Sequence, residues 1–300
     1  VVALSPLSEN WDTLAARPEG DASTLSLDPL WKPYCYDPSL DGDPLRYQEA
    51  YGAFAAWMAA ESEAEWLILG QRLNRYEENC GRSAYDALVG FTAEAHDRVS
   101  VLEGAPRTIV SVDVEDLYGF PAKAGRCEQL TPADCLGERG ELLEGLRADH
   151  LGLESYPAWA LAEGQDWDAG WLTRVADLRP DLPPVISGTG FPSRDLFSKQ
   201  GSCVPLLESS EQAQLLWLDR VLATASALSM ELVVWTWLTE PVEGGAIAGC
   251  SCSEPPALCA HLSALGPAAD PFRIRMNSGL WGVDGSPRQG SSIWTQMVLP

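Results

Sequence analysis

Positive charge is scarce in this 300-residue chain: 20 Lys and Arg stand against 43 Asp and Glu, a formal net charge of -23. A surface of that sign repels phosphate backbones and anionic lipid, which argues against nucleic acid or a membrane surface as partner. Long apolar runs are missing too. Glu or Arg interrupts each one, so no transmembrane segment is expected. Histidine is limited to His96, His150 and His261, and none of the eight cysteines sits in a paired C-x-x-C pattern; no metal site is expected from so few ligands. Also absent are a G-x-G-x-x-G turn, a G-x-x-x-x-G-K-[ST] phosphate loop, an H-E-x-x-H helix and a G-x-S-x-G elbow. Those gaps remove dinucleotide, nucleotide, zinc-protease and serine-hydrolase chemistry, and no cofactor is expected. Asp41-Gly42-Asp43 and the run Asp113–Asp116 offer oxygen ligands without the EF-hand spacing, and read as solvated acidic loops.

What is present is ordinary for a globular protein: 46% hydrophobic and 21% charged residues, in a chain long enough to bury a large core. The cysteines are even in number and lie in loop-like sequence, as in Cys127 to Cys135, Cys250 to Cys252 and Cys252 to Cys259. Disulfides in an exported protein fit that placement better than buried free thiols, with the pairing left open. The chain starts at Val1 without methionine or signal peptide, which suggests processing or truncation at that end. Twelve tryptophans serve a core, and flat aromatics also suit sugar rings.

Short apolar runs alternate with longer amphipathic ones, the pattern of βα units on a parallel sheet. Strands are expected at Val1–Leu7, Trp66–Leu69, Thr108–Val112, His150–Ser155, Pro184–Ser187 and Leu232–Leu238. Helices are expected at Tyr47–Ala60, Ala84–Leu102, Leu136–Leu146, Asp168–Asp177, Glu208–Ser229 and Ser292–Val298. The long helix should turn Leu215, Leu218, Leu222 and Leu228 inward, while Trp57, Trp217 and Trp294 should be core. Thr24–Leu27 and Phe272–Met276 are candidate extra strands. Six strands at βα spacing point to an α/β fold, a TIM (β/α)8 barrel whose first one or two units are missing from this chain. Residues 1–300 read as one domain with long loops at 8–44 and 241–271.

Four segments carry a resemblance. Leu67-Ile68-Leu69-Gly70-Gln71-Arg72-Leu73-Asn74 resembles a strand-four pattern of hydrophobic, Gly, Asn, Glu, Val, Asn. Leu151-Gly152-Leu153-Glu154-Ser155-Tyr156-Pro157 is similar to a strand-six "LGxSxYP". Pro184-Val185-Ile186-Ser187-Gly188-Thr189-Gly190-Phe191-Pro192-Ser193 is similar to a strand-seven "P-V-hydrophobic-x-E-T-G-aromatic-P-S". Gly279-Leu280-Trp281-Gly282-Val283-Asp284-Gly285-Ser286-Pro287-Arg288 is similar to "GLxxxDGxPK". In this order, over about residues 60 to 300, they resemble the (β/α)8 glycoside hydrolases that use two glutamates, on strands four and seven.

That resemblance implies an acid/base glutamate at the position of Arg72 and a nucleophilic glutamate at that of Gly188. Neither is a carboxylate. A retaining glycosidase needs two carboxyl groups about 5–5.5 Å apart, one protonated and one ionised. Arginine does not release its proton at usable pH, and glycine has nothing to form a glycosyl ester with. Gln71 replaces the asparagine that the family sets against the sugar's 2-hydroxyl. Relocated acids are conceivable at Glu154 with Asp113 or Glu240, near strand ends where barrel sites lie. An ion pair between Glu154 and Arg72, keeping local charge balance, is the favoured alternative.

Candidate carbohydrate contacts are Gln71, Arg72, Asn74, Glu154, Tyr156, Trp159, Trp235 and Trp237, with Trp235 matching a subsite floor in the family. Trp235 and Trp237 lie two apart, hence on one face of their strand. Three functions follow. The first is a non-catalytic, secreted, glycoside-hydrolase-like protein that binds a glycan or a cell-surface protein. The second is an active hydrolase with relocated carboxylates. The third is a structural or assembly protein of the cell exterior using the loops at 8–44 and 241–271.

Overall fold

The structure, a computed structural model, describes residues 2–3, 44–120, 127, 129–162, 164, 168, 170–198, 204–236, 278–282 and 285–298. Residues 8–43, the loop at 241–271 and the candidate strands Thr24–Leu27 and Phe272–Met276 lie outside the described residues. Two compact units are distinguishable by internal contact. The first comprises Val1–Gly119, Gln129–Glu154 and Arg174–Ser187, the second Phe120–Glu128, Ser155–Thr173 and Gly188–Pro300.

The first unit is built on parallel strands in sequence order. β1 (Val2–Ala3) pairs with β2 (Trp66–Gly70), β2 with β3 (Arg107–Asp113) and β3 with β4 (His150–Ser155), all parallel. β5 (Pro184–Thr189) follows β4 in the sheet, joined where Leu151 N–H donates to the Pro183 carbonyl at 3.1 Å. Every residue of β2 and β4 is buried, and all of β3 but Arg107. Continuous apolar burial of this kind belongs to a parallel sheet covered on both faces. Gly152 of β4 is required by close approach, since a Cβ there would lie 2.6 Å from Ser187 Oγ and 2.7 Å from Ile109 Cγ2.

Helix α1 (Pro44–Glu61) packs on the later helix Arg82–Ser100. Its buried stripe is Tyr47, Tyr51, Phe54, Ala55 and Ala59, and the Tyr51 hydroxyl donates to the Leu69 carbonyl of β2. Trp57, expected in the core, is only half-buried at the edge of that stripe. Two helices follow β2: α2 (Leu73–Cys80) and α3 (Arg82–Ser100). The sequence reading missed α2, whose polar residues carry little apolar periodicity. After β3 comes the one-turn α4 (Val114–Leu117).

Instead of one helix over Leu136–Leu146, α5 (Pro132–Arg139) passes into a 3-10 turn at Gly140–Leu143. The start is set by Thr131, whose Oγ1 accepts from Asp134 N–H at 3.2 Å ahead of Pro132 at the first helical position, a capping signal readable in the sequence.

In the second unit, α6 (Ala158–Ala162) follows β4; α7 (Gly170–Asp177), whose residues divide between the two units after Thr173, runs close to its expected span. The end of β5 carries β8 (Val233–Trp235), with Thr236 N–H donating to the Thr189 carbonyl at 2.9 Å. An antiparallel hairpin of β6 (Arg194–Ser198) and β7 (Val204–Ser210) was not expected. It shortens the long helix to α8 (Glu211–Ala227), capped where Ser210 Oγ accepts from Ala213 N–H. The buried face of α8 is Gln214, Trp217, Leu218, Val221 and Ala225, so the leucine stripe is rotated from expectation and only Leu218 was placed correctly. Trp217 is core as expected. Trp294, on α9 (Gln289–Val298), is half-buried against Trp235, with ring centroids 6.4 Å apart.

Cys80, Cys127 and Cys135 are disulfide-bonded, and no described cysteine is free. No helix among the described residues is long and apolar enough to cross a membrane.

Candidate functional site

The C-terminal ends of β2, β3 and β4 in the first unit carry a dense polar cluster, built from the turn that leaves β2. The β2–β3 register shifts between Ile68 and Gly70, and Arg72 then adopts a left-handed backbone conformation, φ 49° and ψ 49°, as N-cap of α2. A non-glycine residue pays about 1–2 kcal/mol for that conformation. The Arg72 N–H is held by Ser111 Oγ at 2.9 Å. The same hydroxyl donates to Glu154 Oε1 at 2.8 Å. Arg72 Nε lies 3.4 Å from Glu154 Oε2. The pair thus spans from β2 to β4, with Ser111 of the intervening β3 as the bridge. The two strand ends are not neighbours in the sheet.

Asn74, one turn on, is wholly buried. Its Nδ2 donates to the Asp113 carbonyl at 3.0 Å and to Asp116 Oδ2 at 2.6 Å, while its Oδ1 accepts from Asp113 N–H at 2.8 Å. Asp113 Oδ1 caps α4 by accepting from Asp116 N–H at 3.0 Å, and Asp113 Oδ2 is 3.5 Å from Arg75 Nη1. Arg139 reaches in from α5, its Nη2 2.6 Å from Asp116 Oδ2. Asp113, Glu115 and Asp116 are buried, at 5%, 1% and 6% exposure. The reading of this run as solvated acidic loop is corrected: for Asp113 and Asp116, Arg75, Arg139 and Asn74 supply the partners that make such burial tolerable.

Three guanidinium groups thus face three carboxylates. Burial pushes the Asp116 carboxyl up to about 7, against the pull of Arg139 and with Asp113 and Glu78 adding to the rise. Arg75 is drawn down by burial, but the carboxylates of Asp113, Asp116, Glu78 and Glu154 outweigh this and raise it. Asp113, Asp116 and Glu154 are each engaged with an arginine, while Glu78 and the buried Glu115 add two further carboxylates to the neighbourhood.

The other expected site residues fall in different settings. Gln71 is half-buried beside Arg72. In the second unit, Gly188 is buried within β5. Tyr156 is 3% exposed and its hydroxyl bonds to Thr236 Oγ1. Trp235 is also 3% exposed, with its indole N–H donating to the Ser278 carbonyl at 2.7 Å. Trp159 falls in α6 with its side chain undescribed, and Trp237 and Glu240 lie outside the described residues. Ser111, Arg75, Asp116 and Arg139 were missed as members of the cluster. Parity along β3 was the available signal for Ser111, since it lies two residues before Asp113 and so shares its face. Nothing local in the sequence marks Arg139.

No protein-family profile matches the chain, and no curated protein does. Solved structures do. The chain is similar to fungal β-1,4-galactanases, with TM-score 0.52 at 11% identity, over 85% of this chain and 70% of that one. It is likewise similar to the GH53 catalytic domain of Ignisphaera aggregans, with TM-score 0.52 at 12% identity, over 88% of this chain and 70% of that one. The fold is α/β and TIM-like. These neighbours are TIM-barrel glycoside hydrolases, and at such identity the likeness speaks for the fold alone. Parallel strands taken in sequence order, each with helices, agree with it.

Proposed function

We propose that this chain is a non-catalytic, glycoside-hydrolase-like protein of the cell exterior that binds glycan without cleaving it. The observation that carries the proposal is the Arg72–Glu154 pair. At the position where the resembling family keeps its acid/base glutamate stands a guanidinium, fixed by its own backbone N–H on Ser111 and 3.4 Å from a carboxylate that the same serine holds. An arginine is no proton shuttle, and both oxygens of Glu154 are already engaged, Oε1 by the Ser111 hydroxyl and Oε2 by Arg72. Gly188, at the nucleophile's position, has no side chain. Bound cysteines support an oxidising compartment. Gln71 and the partly exposed Arg72 (16%) and Arg75 (21%) are the polar groups we assign to a sugar hydroxyl contact.

The relocated-acid alternative has one feature in its favour: register places Asp113 beside Glu154 on adjoining strands. It requires one of them to be protonated and free to transfer that proton. Asp113 instead caps α4 and faces Arg75, which favours the non-catalytic reading.

The test is a panel of aryl-glycosides and polysaccharides, starting with β-1,4-galactan, the polymer of the fungal neighbours. We expect saturable binding to at least one glycan, weakened by Arg72→Ala, and no turnover above buffer. Turnover that disappears in Glu154→Gln would overturn the proposal.

A further inference from the structure

A second concave site lies in the second unit, and none of its lining residues belongs to the strand-end cluster. It is a cavity of about 370 Å3, within the range of about 300–1,000 Å3 typical of small-molecule pockets. One wall is a single face of α8, formed by Ala213, Leu216, Trp217 and Arg220, spaced i, i+3, i+4 and i+7. The other wall is Pro157 and Leu161 around α6, with Phe191 just beyond β5.

The aromatic part of this lining is held in place before anything binds. The Trp217 indole N–H donates to Thr189 Oγ1 at 3.0 Å, and its ring sits 6.4 Å from that of Phe191. Gln214 Nε2 donates to the Phe191 carbonyl at 2.8 Å and to the Gly279 carbonyl at 3.2 Å. A preformed apolar wall costs a ligand little ordering. Leu216, at the rim, is 51% exposed.

Among the described residues of the lining, Arg220 is the single charged group. It is exposed and makes no hydrogen bond or ion pair among the described residues. Its helix offers none, because the positions one turn away are Leu216, Trp217, Ala223 and Thr224. In a chain where acids outnumber bases 43 to 20, a guanidinium left without a carboxylate at the edge of an apolar groove is complementary to an incoming anion. The acidic surface as a whole penalises every further negative charge on that anion. A single charge on an apolar body matches both constraints.

We propose that this groove binds a small amphipathic monocarboxylate, its aryl or alkyl body laid on Phe191, Leu216 and Trp217 and its carboxylate held by Arg220. The planar guanidinium fork accepts a carboxylate through two parallel N–H donors, which a hydroxyl cannot reproduce. The site stands independently of any glycan reading.

The experiment is a ligand-observed NMR titration of the full chain with 4-phenylbutyrate and with the neutral 4-phenylbutanol. The acid should saturate and bind about tenfold tighter than the alcohol, as one charge-assisted contact implies. Arg220→Ala should erase that difference and leave the alcohol unchanged. Leu216→Ser should weaken both ligands. Both side chains are exposed, so neither change threatens the fold, and circular dichroism checks that. Equal affinity for acid and alcohol, absence of saturation by either, or an acid affinity indifferent to Arg220→Ala would each refute the site.

Discussion

Asp116 shows how far a single carboxyl can be pulled by opposing forces. Its Oδ2 accepts from Asn74 and from Arg139, contacts that favour the anion, yet burial dominates and carries it up to about 7. The consequence for stability has a definite sign. In the unfolded chain the group titrates near the ordinary aspartate value of about 3.9. Between that pH and about 7 the folded state holds a proton that the unfolded state has lost. This group's contribution therefore favours folding at low pH and declines as pH rises through that window, with a slope of at most about 1.4 kcal/mol per pH unit. Urea unfolding at pH 5 and pH 7.5 measures it. Asp116→Asn, which cannot titrate, should lose less stability than the parent between those two values, whatever its absolute stability. An identical pH dependence in parent and variant would show that Asp116 stays ionised across that range, its contacts with Arg139 and Asn74 outweighing burial.

At the scale of elements, Asn74 is the staple between α2 and the β3–α4 connection. It closes three hydrogen bonds without exposing any part of itself, and its removal takes all three away in a buried place. Asn74→Ala should cost about 3 kcal/mol in urea unfolding, in line with losing several buried hydrogen bonds at once. Gln71→Ala, three residues earlier and half-buried, should stay within about 0.5 kcal/mol of the parent.

The contrast also shows what was readable in advance. β2 to β5 were placed from continuous apolar runs such as Trp66–Leu69 and Pro184–Ser187, because a strand buried on both faces leaves an unbroken hydrophobic trace. The β6–β7 hairpin and α2 left no such trace. Arg194–Ser198 mixes charges with apolar residues, and α2 is mostly polar. Arg72 and Glu154 could be paired from the motif frames alone. The rest of the cluster could not, since Ser111, Arg75 and Arg139 become neighbours only once the strand ends converge. The Asp113–Asp116 run looked solvated for the same reason: burial of charge is decided by partners distant in sequence.

For the whole molecule the governing quantity is the charge of -23, and two opposing salt effects follow from it. Self-repulsion among excess carboxylates disfavours the compact state and is screened by added salt, the Debye length being about 10 Å at 0.1 M. Exposed ion pairs are screened as well. Arg82 with Asp86 and Glu141, and Arg147 with Asp97, sit at side-chain exposures of 46% to 64%, where each is worth at most about 1 kcal/mol. The better-placed pairs, Arg72–Glu154 and Arg139–Asp116, are shielded from salt by their burial. The few exposed pairs cannot offset the surplus of acids over bases, so Tm should rise as NaCl goes from about 20 to about 300 mM, under oxidising conditions that keep the cysteines bonded. A falling Tm would mean that the exposed arginine pairs contribute more to the fold than the net repulsion takes away, and substituting Arg82 and Arg147 would then locate the effect.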